Sequence, residues 1–267
     1  MTQLSAYVRG IGLLGPGFDD WASAASILAG LAPYTSRDTV LPPPATLPPA
    51  ERRRTGTVVR LALAIGFEAV SNAGIDASEL PTVFSSSGGD GHNCHEICTT
   101  LASGDRQLSP TRFHNSVHNA ASGYWSIAAN ATAASSVLCA FDASFGAGLL
   151  EALTQVTVDR TPVLLAAYDA GYPEPLRPAG PISDALGVAM VLAPTASTNS
   201  RVAQIRATLC TDPAESMTDP ELESLRMAIP AARSLPLLRK LAREEPGRVV
   251  IDYLETQRIA IEVSAWR

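Results

Sequence analysis

The sequence holds a single lysine, Lys240, among 20 basic residues, with only four cysteines and four histidines in 267 positions. Cys94, Cys98, Cys139 and Cys210 are too sparse for a disulfide framework in a chain of this length, so reduced thiols are expected. A run of about 18 apolar residues is absent, as is a charged then apolar leader, so neither a membrane span nor a secretory signal is expected. Positive charge is not in excess: the net charge is −6 and the isoelectric point about 5.2, which argues against nucleic acid as a partner. Histidine and cysteine meet only in His92-x-Cys94-His95-x-x-Cys98, whose spacing is not a standard zinc pattern; no metal and no cofactor are expected. These absences describe a soluble, cytoplasmic protein.

What is present is a hydrophobic fraction of 46%, enough for a sizeable core. Strand-like and helix-like patterns alternate, which predicts an α/β fold with a mixed sheet covered by helices. Residues 60–71 are apolar around most of a helix, as a helix buried between sheet and neighbours is. Pro42-Pro43-Pro44 and Pro48-Pro49 make residues 41–50 an extended, polyproline-like excursion, read as a surface arm, a linker within the fold or a plain loop. Residues 201–209 read as a strand. Beyond them the spacing predicts a helical stretch over 220–245, broken near Pro230 and Pro236, and two strands, at 248–253 and 258–263.

The passage Ser135-Ser136-Val137-Leu138-Cys139-Ala140-Phe141-Asp142-Ala143-Ser144-Phe145-Gly146-Ala147-Gly148 runs an apolar strand, residues 135–141, through a sharp junction into a helix. A helix N-terminus offers unpaired N–H groups and a positive dipole end, which stabilise an anion or oxyanion. Enzymes place nucleophiles at such junctions. Here the junction position reads as Asp142, which has a plainer explanation as well, because Asp is a good helix N-cap. Cys139 would lie inside the strand as a small buried hydrophobe.

That passage resembles the nucleophile region of β-ketoacyl synthases, the thiolase-like condensing enzymes. Tyr7-Val8-Arg9-Gly10-Ile11-Gly12-Leu13 is similar to their opening strand, and Glu68-Ala69-Val70-Ser71-Asn72-Ala73-Gly74-Ile75-Asp76 to the end of an early helix. Val83-Phe84-Ser85-Ser86-Ser87-Gly88-Gly89 is similar to their Gly-rich turn, and Val163-Leu164-Leu165-Ala166-Ala167-Tyr168-Asp169 and Gly187-Val188-Ala189-Met190-Val191-Leu192 to later strands. Order and spacing carry the likeness, from residue 6 to about 210. It implies a thiolase-like N-terminal half over 1–210 and, in place of a second half, a shortened helix-and-hairpin cap over 211–267, the whole a single domain.

Counted without gaps from residues 163–166, the family's catalytic thiol falls on Asp142, and a carboxylate cannot form the thioester intermediate. The resemblance also implies two catalytic histidines later in the chain, yet His92, His95, His114 and His118 all precede Asp142, and Lys240 matches no catalytic lysine motif. The first function class is therefore a non-catalytic chain-length-factor subunit. It would pair with a full-length ketosynthase, reach acyl carrier protein through that partner, and serve type II polyketide or fatty-acid-like synthesis. His114-Asn115-Ser116-Val117-His118-Asn119 with Gly123-Tyr124-Trp125 is similar to the half-length proteins of aryl polyene clusters. In that reading Phe141, Asp142 and Phe145 shape the acyl pocket, and Ser135, Val137, Cys139, His114 and His118 lie at the subunit interface. The second class is a stand-alone acyl decarboxylase or hydrolase using Asp142 with His114 or His118; Cys139 is the weaker nucleophile candidate.

Overall fold

The computed structural model describes residues 4–196 and 202–266. The chain opens with β1 (Leu4–Leu14), α1 (Trp21–Ala29), the short α2 (Pro49–Arg52) and α3 (Thr57–Ala73). There follow β2 (Thr82–Ser85), α4 (Gly91–Ala102), α5 (Pro110–His114), α6 (Ala120–Ala129), β3 (Ser135–Leu138), α7 (Ser144–Asp159), β4 (Val163–Asp169) and β5 (Leu186–Ala193). The remainder is β6 (Gln204–Cys210), α8 (Pro220–Ala228), α9 (Leu235–Ala242), β7 (Gly247–Asp252) and β8 (Arg258–Val263). Eight strands form one sheet in the order β3-β2-β4-β5-β1-β6-β8-β7. β3, β2 and β4 are parallel and every other pairing is antiparallel, which makes the sheet mixed.

β4 and β5 are buried along their whole length, and their sequences are accordingly unbroken apolar runs rather than alternating ones. Cover comes from both sides. α3 and α6 close one face around Phe84, Trp125 and Tyr168, while α1, α7, α8 and α9 close the other around Phe145, Leu149 and Leu165. The approach of α3 to β1 is set by two glycines: a Cβ on Gly10 would come 2.2 Å from the Ala69 carbonyl oxygen, and one on Gly12 2.1 Å from that of Ile65. Glu68 of α3 accepts from the backbone N–H of both Leu13 and Trp21, fixing the end of β1 and the start of α1 to one carboxylate.

The proline-rich stretch 41–50 is neither a free arm nor a linker. Leu47 is buried against α3, and the Arg60 and Arg52 guanidiniums donate to the carbonyls of Leu41, Ala45 and Leu47, so the segment is a strap across that helix.

Residues 211–266 form two helices and a hairpin whose strand β8 pairs with β6, so this segment extends the same sheet. The expected break at Pro230 is there, as a 3-10 turn over Pro230–Ser234, but Pro236 does not break α9. It sits in the first turn, where no intrahelical N–H bond is lost. Two strands are shorter than their sequence suggests: β3 stops at Leu138 instead of running to Phe141, and β6 starts at Gln204, Arg201 lying outside the described residues. Among the described residues no helix is long and apolar enough to cross a membrane.

Candidate functional site

Beyond β3 the chain turns through a single 3-10 turn, Phe141–Ala143, before α7 begins. The sharp point of the junction is Phe141, not Asp142: Phe141 has φ +47°, in the left-handed region that costs a side-chain-bearing residue about 1–2 kcal/mol. The neighbouring Ser144 hydroxyl holds the turn, accepting from the Ala140 N–H at 3.0 Å and donating to the Phe141 carbonyl at 2.7 Å. Asp142 caps nothing. The N-cap position of α7 is Ala143, with no side-chain bond, and the local clasp comes from Ser144.

The side chain of Asp142 is 76% exposed and meets the Arg233 guanidinium at 3.5 Å. Arg233, from the 3-10 turn ahead of α9, is itself buried and reaches Asp252 of β7 at 3.4 Å, and Asp252 is shared with Arg226 of α8. The C-terminal segment thus lays a cation over the junction. Neither His114 nor His118 bonds to Asp142 among the described residues. His114 is exposed, edge-on to the Tyr124 ring, and His118 is half-buried, its Cδ2 facing Gly89 and its Nε2 without a partner.

The two phenylalanines part company. Phe141 is 80% exposed, whereas Phe145, in the first turn of α7, is 0% exposed and packed into the core. Cys139 is also displaced from its expected place: it is exposed just past the end of β3, and its thiol donates to the Ser87 carbonyl at 2.9 Å. Of the expected interface residues, Ser135 is exposed on the edge strand and Val137 leans on the α3-side core. His92, Cys94, His95 and Cys98 all lie on α4. Burial, then the neighbouring Cys98 thiol, push the Cys94 thiol up, and among the described residues no three His, Cys, Asp or Glu side chains come together to hold a metal.

Three features escaped the sequence. Asp169, at the end of β4, is fully buried and accepts from the Ser87 N–H (2.7 Å), the Ser87 hydroxyl (2.6 Å) and the Ala231 N–H (2.8 Å); burial pushes its carboxyl up to about 6. The signal was a lone acid ending an otherwise apolar strand. Tyr172 fills the space above the Gly88-Gly89 turn. Between α5 and α6 lies an apolar groove of about 560 Å³, walled by Phe113, Val117, Tyr124 and Ile127, and Phe113, Val117 and Ile127 are exposed. None of five surface grooves takes Cys139, Phe141, Asp142 or Arg233 into its walls.

Residues 21–246 match the family model of the β-ketoacyl synthase N-terminal domain. The chain belongs to this family. Its fold is that of a chain in the complex of the ketosynthase ApeO with its chain length factor ApeC from Xenorhabdus doucetiae (TM-score 0.72, 22% identity, 96% of this chain and 99% of that one). It is equally that of a chain of the ishigamide ketosynthase/chain length factor (0.72, 14%, 98% and 99%). A chain of AntDE:AntF, a type II polyketide acyl carrier protein in complex with its ketosynthase bound to the hexaketide, matches at 0.71 and 12% over 99% and 100%. At these identities the likeness is one of fold. No curated protein matches the chain in sequence. In this chain the junction carries an exposed aromatic ring at the left-handed position and an ion-paired carboxylate next to it.

Proposed function

We propose that this chain is a non-catalytic, chain-length-factor-like subunit that pairs with an active ketosynthase in type II polyketide or fatty-acid-like biosynthesis, of the aryl polyene kind, and shapes the acyl pocket there. Acyl carrier protein would be engaged through the ketosynthase. The observation that carries the reading is the junction: Phe141 offers no nucleophile, and Asp142, which cannot form a thioester, is occupied by Arg233. The 1–267 chain acts in this reading as one domain, its residues 211–267 serving as the cap.

The pairing surface would be the free side of β3, an end strand of the sheet, together with the exposed Phe113, Val117, Ile127 and Phe141. Residues 131–141 carry no charge and no proline, the devices that keep edge strands from pairing. Such an interface is expected to bury more than about 2,000 Å² in total, the range of permanent assemblies. The stand-alone hydrolase or decarboxylase reading has no supporting geometry, since Asp142 and the two histidines are unconnected.

Co-expression with the ketosynthases of its own gene neighbourhood, followed by size measurement, tests the proposal. A stable heterodimer that elongates acyl chains, with no acyl adduct on this chain by mass spectrometry, is the expected result. A stable acyl adduct on Cys139 that Cys139→Ala abolishes would overturn it.

A further inference from the structure

We propose that Tyr172 is the side chain that closes this subunit to an acyl chain, a specificity-determining residue rather than a catalytic one. The inference deepens the pairing proposal above and rests on it. Sheets of this kind open for ligands beyond the carboxyl ends of their parallel strands. Here those ends are Ser85 of β2, Leu138 of β3 and Asp169 of β4, and the space beyond them holds the Tyr172 ring.

The ring sits in a niche made by glycines from two separate parts of the chain. A Cβ on Gly88 would come 1.6 Å from the Tyr172 Oη, one on Gly91 2.1 Å from Cδ1, and one on Gly180 2.7 Å from Cε2. A side chain larger than hydrogen at any of the three would need the ring to leave. The phenol stands beside the Ser87 hydroxyl, and burial raises its pKa. The wall behind it is firm, because Asp169 ties Ser87 in the β2–α4 turn to Ala231 of the C-terminal segment through two N–H bonds and a hydroxyl. The niche also adjoins the junction: the Cys139 thiol bonds to the Ser87 carbonyl, one residue from Gly88. Tyr172 thus fills a ring-sized space on the Cys139 side of the junction. A chain entering between the subunits at the junction would stop against that ring.

The test compares wild type, Tyr172→Phe and Tyr172→Ala, each paired with the ketosynthase and each alone. In the pair, Tyr172→Ala is expected to lengthen or broaden the product distribution, whereas Tyr172→Phe, which keeps the ring, leaves it unchanged. Unchanged lengths with the pair intact overturn the proposal. Alone, the Tyr172→Ala chain is expected to gain about 2–4 °C in Tm from phenol at several times its Kd, while wild type gains nothing. Absence of that gain shows that the space collapses without the ring and also overturns the proposal. If wild type forms no pair with any ketosynthase, the pairing proposal fails, and the phenol result on the isolated chain still decides whether the niche is preformed. Tyr172→Leu, which vacates only part of the niche, carries the same readouts should Tyr172→Ala not fold.

Discussion

The two edges of the sheet are built on opposite terms. β7, at one end, is wrapped: the Glu215 N–H donates to the Val250 carbonyl at 2.8 Å, and Arg248 pairs with Asp212 and, at 4.0 Å, with Glu262. Chain and charge both cover that edge, which is how soluble sheets avoid adding further strands. β3, at the other end, has neither among the described residues. It is four residues of Ser-Ser-Val-Leu within an uncharged stretch, 131–141, and exposed Phe141 follows it three residues on. In the pairing proposed above, the partner takes the edge that carries no charge and no proline.

The sharpest way to separate core from edge is the pair of phenylalanines at the junction. Phe145→Ala empties a fully buried site and is expected to cost about 3–5 kcal/mol of stability by urea unfolding, affecting both edges alike. Phe141→Ala removes an exposed ring and is expected to leave stability within about 0.5 kcal/mol, while weakening the pair.

Next in size is Asp169, which couples the β3 side of the sheet to the segment that covers β7. Asn in its place sets an amide NH₂ against donor groups and is expected to cost about 1–3 kcal/mol. The pH dependence has a definite sign. The folded carboxyl titrates near 6, above its ordinary value of 3.8, so the native state holds the proton more tightly. The resulting stabilisation is fully present below about pH 4 and is lost as pH rises through about 6, an effect of order 3 kcal/mol. Unfolding followed from pH 4 to 7 is expected to show that decline in wild type relative to Asp169→Asn. Parallel curves for the two proteins would remove Asp169 as its source.

A charge in the exposed apolar groove between α5 and α6, which the proposal places at the interface, is expected to act on assembly alone. Ile127→Glu or Phe113→Glu weakens the heterodimer by about 2 kcal/mol, roughly thirtyfold in Kd, with the isolated chain's Tm nearly unchanged. The smallest effect belongs to the covered edge. Arg248→Ala removes only exposed ion pairs, so Tm scarcely moves and pairing with the ketosynthase is unaffected by gel filtration. Loss of the heterodimer in that variant would mean that the wrong edge has been assigned.

Much of the junction could be read in advance as a strand turning into a helix, but not which residue turns. Side-chain preference puts a left-handed φ on Asp more readily than on Phe, yet the turn falls on Phe141 because Ser144 bonds to both Ala140 and the Phe141 carbonyl. The same displacement explains Phe145. A spacing of four places two side chains on one face only within a helix, and α7 starts at Ser144, after Phe141 has already been used in the turn. Arg233 had no local signal at all, lying in a 3-10 turn between two prolines.

By itself the sequence determined the alternation of strands and helices and the buried helix over 60–71, because apolar period acts locally. Only the tertiary structure decided what occupies the ends of the parallel strands. There Tyr172 meets Gly88, Gly91 and Gly180, Asp169 holds Ala231 from 62 residues away, and Arg233 reaches Asp142 across 91. No periodicity of a strand or helix extends over such separations. Those contacts exist because packing the C-terminal segment onto the sheet brings their partners within hydrogen-bonding distance, where a buried polar group left unpaired would be costly.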